Sequence, residues 1–197
     1  MGEGAAKQSE MNLGLLPPLK KPYLDASVFL AHIKKEQNVV SEGRTRSEIT
    51  TRIFEDARQG KYVIHTSFLT IAEVRRLKES GRELQADELP EVNKLFAEFL
   101  RHEWIMPIEV DREVAEKAQQ LGAIYHVMPP DAIHLASAIL TGCNVLLVWD
   151  KRSFSDKFAV GPIEGVHVLA PYWEGVRPVL PLASFSDEQP ATRALEG

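Results

Sequence analysis

Four carboxylates stand where apolar, strand-like runs give way to turns or helices: Asp25, Glu73, Asp131 and Asp150. Asp25 ends the short segment KPYLD, and Asp150 follows the continuous apolar run VLLVW. Glu73 falls within the first two turns of a helix expected after YVIH, and Asp131 opens a helix directly after Pro129-Pro130. In open parallel sheets, ligand sites lie beyond the carboxyl ends of the strands. The four acids are therefore placed to meet at one sheet edge. Gathered there, they repel one another strongly unless a cation lies between them. Hard carboxylate oxygens suit Mg²⁺ or Mn²⁺, which take roughly six oxygen ligands and keep several waters. Two such ions about 4 Å apart can activate a water and stabilise the leaving oxygen of a phosphodiester.

The formal net charge of −5 bears on the same question. Nucleic-acid binders usually carry a basic balance, because neutralised phosphates dominate affinity. Either the substrate is not a nucleic acid, or metal ions supply the positive charge in an acidic cleft. Each acid taken singly also has an ordinary role. Asp131 suits the positive end of a helix dipole, Asp25 and Asp150 suit turns, and Glu73 with Arg75, Arg76 and Lys78 could form a solvated helix face. Glu73 nonetheless lies between Ala72 and Val74, which weakens that last alternative, and the case rests on the set. No Ser/His/Asp arrangement offers a protein nucleophile. The single cysteine, Cys143, excludes an internal disulfide framework and a cysteine-based zinc site. It reads as a buried thiol beside the turn Thr141-Gly142.

The elements that must hold these acids follow from periodicity and punctuation. Strands are expected at 21–25, 62–65, 104–110, 144–149 and 165–169. Helices are expected at 26–37, 45–59, after Thr66-Ser67 as far as about Gly81, from Leu89-Pro90 to about residue 102, 112–125 behind an Asp111 cap, and 131–140. Short strands alternating with longer helices give an open, mostly parallel α/β sheet with right-handed crossovers. A chain of 197 residues suffices for one such domain. Residues 1–20 read as a flexible leader, 21–170 as the folded domain and 171–197 as a mobile tail. No apolar run reaches the ~18–20 residues a membrane span needs, and the first residues lack the layout of a secretory signal, so the cytoplasm is the expected compartment.

The segments YLDASVFL, HTSFLTIAEVRRL, PPDAIHLASAIL and NVLLVWDKRSF, in this order, resemble the four acidic motifs of PIN domains. Within that family they are most similar to the VapC-like toxins of prokaryotic toxin–antitoxin systems. The resemblance spans about residues 21–170. It implies a three-layer α/β/α fold around a mostly parallel sheet, and a Mg²⁺- or Mn²⁺-dependent endoribonuclease acting through a metal-activated water. It maps the metal-site acids onto Asp25, Glu73, Asp131 and Asp150. Ser27 matches the hydroxyl residue two places after the first acid, where it can orient that carboxylate or a bound water; a helix cap is an equal alternative. Arg75, Arg76, Lys151 and Arg152 flank the acids and could steady an RNA backbone, or be ordinary surface charges.

The chain departs from the pattern just before the fourth acid, where Val148-Trp149 replaces the frequent Thr or Ser. Asp156 reads as a surface turn residue rather than a fifth ligand, and His134 as a core or helix-surface histidine rather than a catalytic one. The resemblance also implies a small antitoxin partner and a homodimer. Helices 45–59 and 88–102 could offer apolar surface for both, although core burial accounts for most of those positions. Two other classes stand beside the nuclease: a PIN-like module that binds RNA or protein without cutting, and a phospho-acceptor aspartate. Ser27 stands where the phosphatases of that last class carry a second Asp.

Overall fold

The computed structural model describes residues 16–41, 43–74, 78–79, 82–83, 89–149 and 161–172. Its main sheet contains β1 (Pro22–Leu24), β4 (Ile64–Ser67), β7 (Ile105–Ile108), β8 (Val145–Leu147) and β9 (His167–Leu169), in the order β7-β4-β1-β8-β9. Every pairing in this sheet is parallel. From β1 the chain builds outward through β4 to β7, then returns to add β8 and β9 on the other side. The order therefore reverses between β1 and β8, the place where open α/β sheets open a crevice.

The helices are α1 (Ala26–Ile33), α2 (Arg46–Arg58), α3 (Leu69–Glu73), α4 (Leu89–Phe99), α5 (Arg112–Tyr125) and α6 (Pro129–Leu140). Side chains alternate across a strand, and the apolar run after Asn144 feeds both faces of the sheet. Val145 and Leu147 join Leu24, Ile64, Phe29, Ile53 and Phe96 in one core, beneath α1, α2 and α4. Leu146 and Val148 join Tyr23, Val168, Leu121 and Leu135 in the other, against α5 and α6. The result is the expected three-layer α/β/α sandwich. Ile49, Ile53, Phe54 and Ala57 of α2 and Phe96 of α4 belong to the core. Among the described residues no helix is long and apolar enough to cross a membrane.

Capping fixes several boundaries. Thr45 and Glu48 form a reciprocal capping box at the start of α2: Thr45 Oγ1 accepts from Glu48 N at 3.2 Å, and Glu48 Oε2 accepts from Thr45 N at 2.7 Å. Gly60, at φ 78°, supplies the left-handed residue after α2. Asp111 accepts from Val114 N at 2.9 Å and caps α5 as expected.

The structure corrects other expectations. The helix after β4 does not run to Gly81: α3 ends at Glu73, and β5 (Lys78–Glu79) pairs antiparallel with β6 (Arg82–Glu83). Thr66 and Ser67 do not cap α3 but belong to β4, where Thr66 Oγ1 donates to Leu24 O at 2.9 Å. The first helix stops at Ile33, ahead of Lys35 with φ 51°. A short hairpin of β2 (Val39–Ser41) and β3 (Arg44–Thr45), not expected from the sequence, stands between the first two helices.

Residues 16–20 of the expected leader and 171–172 of the expected tail lie against the fold. Leu19 is buried, Pro18 O accepts from Asn144 Nδ2 at 2.7 Å, and Pro17 O accepts from the Tyr172 hydroxyl. The rest of both segments lies outside the described residues.

Leu147 is fully buried on the central strand β8. Leu147→Ala is expected to cost about 2–5 kcal/mol in urea unfolding, from lost transfer energy plus the residual cavity. A loss below about 1 kcal/mol would contradict its place in the core.

Candidate functional site

Asp25 emerges from β1 at the strand-order reversal and becomes the N-cap of α1. Its backbone N–H donates to Leu147 O of β8 at 3.2 Å. Its Oδ1 accepts from Ser27 Oγ at 2.6 Å and from Val28 N at 3.3 Å. The cap is thus Asp25, and Ser27 takes the orienting role. The Ser27 hydroxyl also accepts from Trp149 N at 2.9 Å. One hydroxyl therefore ties the first acid to the chain immediately before Asp150. Trp149 has no hydroxyl of its own; the guanidinium of Arg46 lies over its ring at 5.0 Å, a cation–π contact that joins α2 to the end of β8.

Glu73 is the last residue of α3, which packs against α1 and α6. Its Oε2 lies 2.6 Å from Nε2 of His134. Asp131 sits in the first turn of α6 behind Pro129 and Pro130, and is half-buried. His134 follows one turn later with 1% of its surface exposed. Its Nδ1 lies 2.8 Å from the hydroxyl of Tyr23, whose ring it meets edge-on at 5.7 Å. His134 is a core histidine, and it also belongs to the acid site.

Asp25, Glu73 and Asp131 all act on His134, and Glu73 acts on Asp25. Burial pushes the Asp25 carboxyl up to about 7, with the charge of Glu73 adding to the rise and His134, Ser27 and Val28 N opposing it. For His134 burial disfavours the charged form, yet the Glu73 hydrogen bond and the charges of Glu73, Asp25 and Asp131 together raise it above the usual histidine range. Burial carries the Tyr23 phenol well above its ordinary value, so it stays protonated.

Of the expected set, Asp25, Ser27, Glu73 and Asp131 stand along this edge. Asp150, Lys151, Arg152 and Asp156 lie outside the described residues, as do Arg75 and Arg76. Among the described residues no group of three or more Asp, Glu, His or Cys side chains closes around a single ion position; Glu73 is bonded to His134 instead. The donor chemistry nevertheless fits a hard divalent cation. The acids offer oxygen ligands, and Asp25 resists ionisation because it is desolvated beside another negative charge. A cation removes that resistance.

His134 and Tyr23 were not singled out by sequence as partners of the acids. The available signal was spacing: Asp131 and His134 stand three apart on one helix, and so share a face. Tyr23 stands two residues before Asp25, which on an extended chain is the same side.

The PIN domain matches residues 23–157 of the chain. The chain belongs to the PIN-domain family. Members of this family are typically nucleases and generally use divalent metal ions. No curated protein matches the chain. Among solved structures, the sarcin–ricin-loop-cleaving VapC toxin of Mycobacterium tuberculosis shares its fold, at 16% identity and a TM-score of 0.50, covering 73% of this chain and 97% of the toxin. A toxin–antitoxin complex from Klebsiella pneumoniae aligns at 19% identity and a TM-score of 0.49, covering 77% of this chain and 98% of its own.

The position of Asp25 gives a pH signature in this PIN domain. The ordinary carboxyl value is 3.8 and the folded value about 7, so between these pH values the folded state holds a proton that the unfolded chain has lost. The group's contribution to stability is therefore greatest below about pH 4 and is lost as pH rises to about 7. In EDTA, Asp25→Asn is expected to be more stable than wild type at pH 8 by roughly 1–3 kcal/mol, allowing for the partial exposure of the residue. The difference should shrink towards pH 4. A difference that stays constant across this range would contradict the buried, charge-opposed carboxyl.

Proposed function

We propose that the chain is a metal-dependent endoribonuclease of the VapC-like kind, the toxin of a type II toxin–antitoxin pair. The observation that carries this reading is the delivery of Asp25 and Glu73 to the sheet's reversal point in a PIN domain, with Ser27 joining Asp25 to the chain just before Asp150. The substrate class is RNA. A cognate antitoxin and a homodimeric assembly accompany the reading, on the strength of the motif resemblance.

In this proposal Asp25, Asp131 and Asp150 would hold Mg²⁺ or Mn²⁺, with Glu73 completing the set. When bound, the metal would supply Lewis acidity and a water more acidic than bulk water. Ser27 fixes the rotamer of Asp25 so that one carboxylate oxygen remains available. Glu73 would complete the site and orient the attacking water. Arg75, Arg76, Lys151 and Arg152 would steady the RNA backbone. No side chain attacks phosphorus, so no covalent enzyme intermediate forms.

The competing reading is a PIN-like module that binds RNA or protein without cutting. The bond from Glu73 to His134, in place of a closed group of acids, is the observation on its side. The two separate in one assay: cleavage of a pool of structured RNAs by purified, antitoxin-free protein with Mg²⁺, Mn²⁺ or EDTA. Cleavage is expected with either metal and not with EDTA, and Asp25→Asn and Asp150→Asn are expected to abolish it while remaining folded. Ser27→Ala is expected to retain the fold and lose about 10–100-fold in activity, as loss of a hydrogen bond to a metal-ligating group typically does. Cleavage unchanged in both Asp variants would overturn the assignment; a folded wild type inert with every metal favours the binding module.

A further inference from the structure

The buried polar residues Tyr23 and His134 have no place in the proposed chemistry, yet they join three elements. Tyr23 is fully buried on β1, His134 is 1% exposed on α6, and Glu73 ends α3. The chain of contacts runs from the Tyr23 hydroxyl to His134 Nδ1 at 2.8 Å, and from His134 Nε2 to Glu73 Oε2 at 2.6 Å. Buried polar groups are costly unless fully paired, and here each ring nitrogen has one partner.

One donor can be assigned. A carboxylate oxygen only accepts, so His134 presents Nε2–H to Glu73 Oε2. Nδ1 pairs with the Tyr23 hydroxyl, donating to its oxygen when the ring is charged and accepting its proton when the ring is neutral. A phenylalanine at position 23 would leave Nδ1 without its partner and release the ring from its orientation. Glu73 itself stands at the end of a five-residue helix whose N-cap position, Phe68, makes no side-chain capping bond. So short a helix holds its last side chain weakly by itself. What fixes Glu73 comes from α6 and β1.

We propose that Tyr23 and His134 are positioning residues that hold Glu73 by one carboxylate oxygen, Oε2, so that Oε1 would be left to serve a divalent metal at this edge. This deepens the metal-dependent reading above and rests on it. The relay also links the acids through the fold. Tyr23 lies two residues before Asp25, and His134 three residues after Asp131, so a shift of Glu73 is resisted by the elements that carry two other acids of the set.

The test is Mn²⁺ titration of the full-length protein without RNA, followed by calorimetry and by the electron paramagnetic resonance of free Mn²⁺. The variants are Tyr23→Phe, His134→Ala and His134→Gln, with folding checked by circular dichroism. Gln carries an amide N–H near the position of Nε2, so it can restore the bond to Glu73. His134→Ala is expected to weaken Mn²⁺ about 10–100-fold, His134→Gln to recover most of that loss, and Tyr23→Phe to lose a smaller factor. In RNA cleavage the same variants should lose apparent metal affinity more than rate at saturating Mn²⁺.

Tyr23→Phe removes one oxygen from a core position, so it keeps the test valid if His134→Ala fails to fold. Wild-type Mn²⁺ affinity in folded Tyr23→Phe, and in His134→Ala where it folds, together with loss of binding in Asp25→Asn, would overturn the relay and leave the metal site standing. Mn²⁺ binding by wild type without RNA cleavage would overturn the ribonuclease reading and leave the relay standing. A wild type that binds no Mn²⁺ overturns both.

Discussion

Like charges at one edge are the constraint around which this domain is arranged. Asp25, Glu73 and Asp131 stand near enough to act on His134 together, and Glu73 helps to hold Asp25 in its protonated form. Such crowding opposes folding in a metal-free chain once Asp25 ionises, because that carboxylate is less solvated and more repelled than in water. The fold offsets this locally. Ser27 and Val28 N donate to Asp25, and the His134 ring occupies the interior between the acids. A stable α/β sandwich carries the cost because its two cores, one on each face of the sheet, do not depend on the site.

The sheet order turns a sequence pattern into a site. Asp25 follows β1, and β8 pairs with β1 through Pro22↔Val145, Tyr23↔Leu146 and Leu24↔Leu147. In a parallel pair this register brings the carboxyl ends of both strands to the same edge. The hydrogen bond from Asp25 N to Leu147 O and the Ser27 bridge to Trp149 N continue that pairing past the ends of the strands. β4, on the other side of β1, brings α3 and Glu73 alongside. α6 supplies Asp131 from the layer beneath. The acids come from distant parts of the chain and meet because the order of strands reverses where it does.

Much of this was legible because it is local. The apolar run after Asn144 could only be a strand buried on both faces, and it is. Asp111 and Thr45 announce helix starts through side-chain acceptors, and Pro129-Pro130 opens α6 as its missing N–H groups allow. What was not legible depends on partners far along the chain or on elements too short to show a period. The strands of two and three residues in the β2–β3 and β5–β6 hairpins have no alternation to read. Thr66 and Ser67 look like cap residues, but β4 uses the Thr66 hydroxyl to bond Leu24 O across the sheet. His134 finds Tyr23 across 111 positions and Glu73 across 61, and no spacing rule reveals such a pair. A histidine amid Ala, Ile and Leu reads as core, which it is, without disclosing what its two nitrogens touch.

The most direct test of the account is a crystal structure grown with saturating Mn²⁺, with the metal located by its anomalous scattering. The account requires a Mn²⁺ peak at the carboxyl edge, contacted by Asp25 directly or through one water, with Glu73 and Asp131 around it. No peak there, or Mn²⁺ bound only elsewhere on the surface, would contradict the claim that these carboxylates form a metal site.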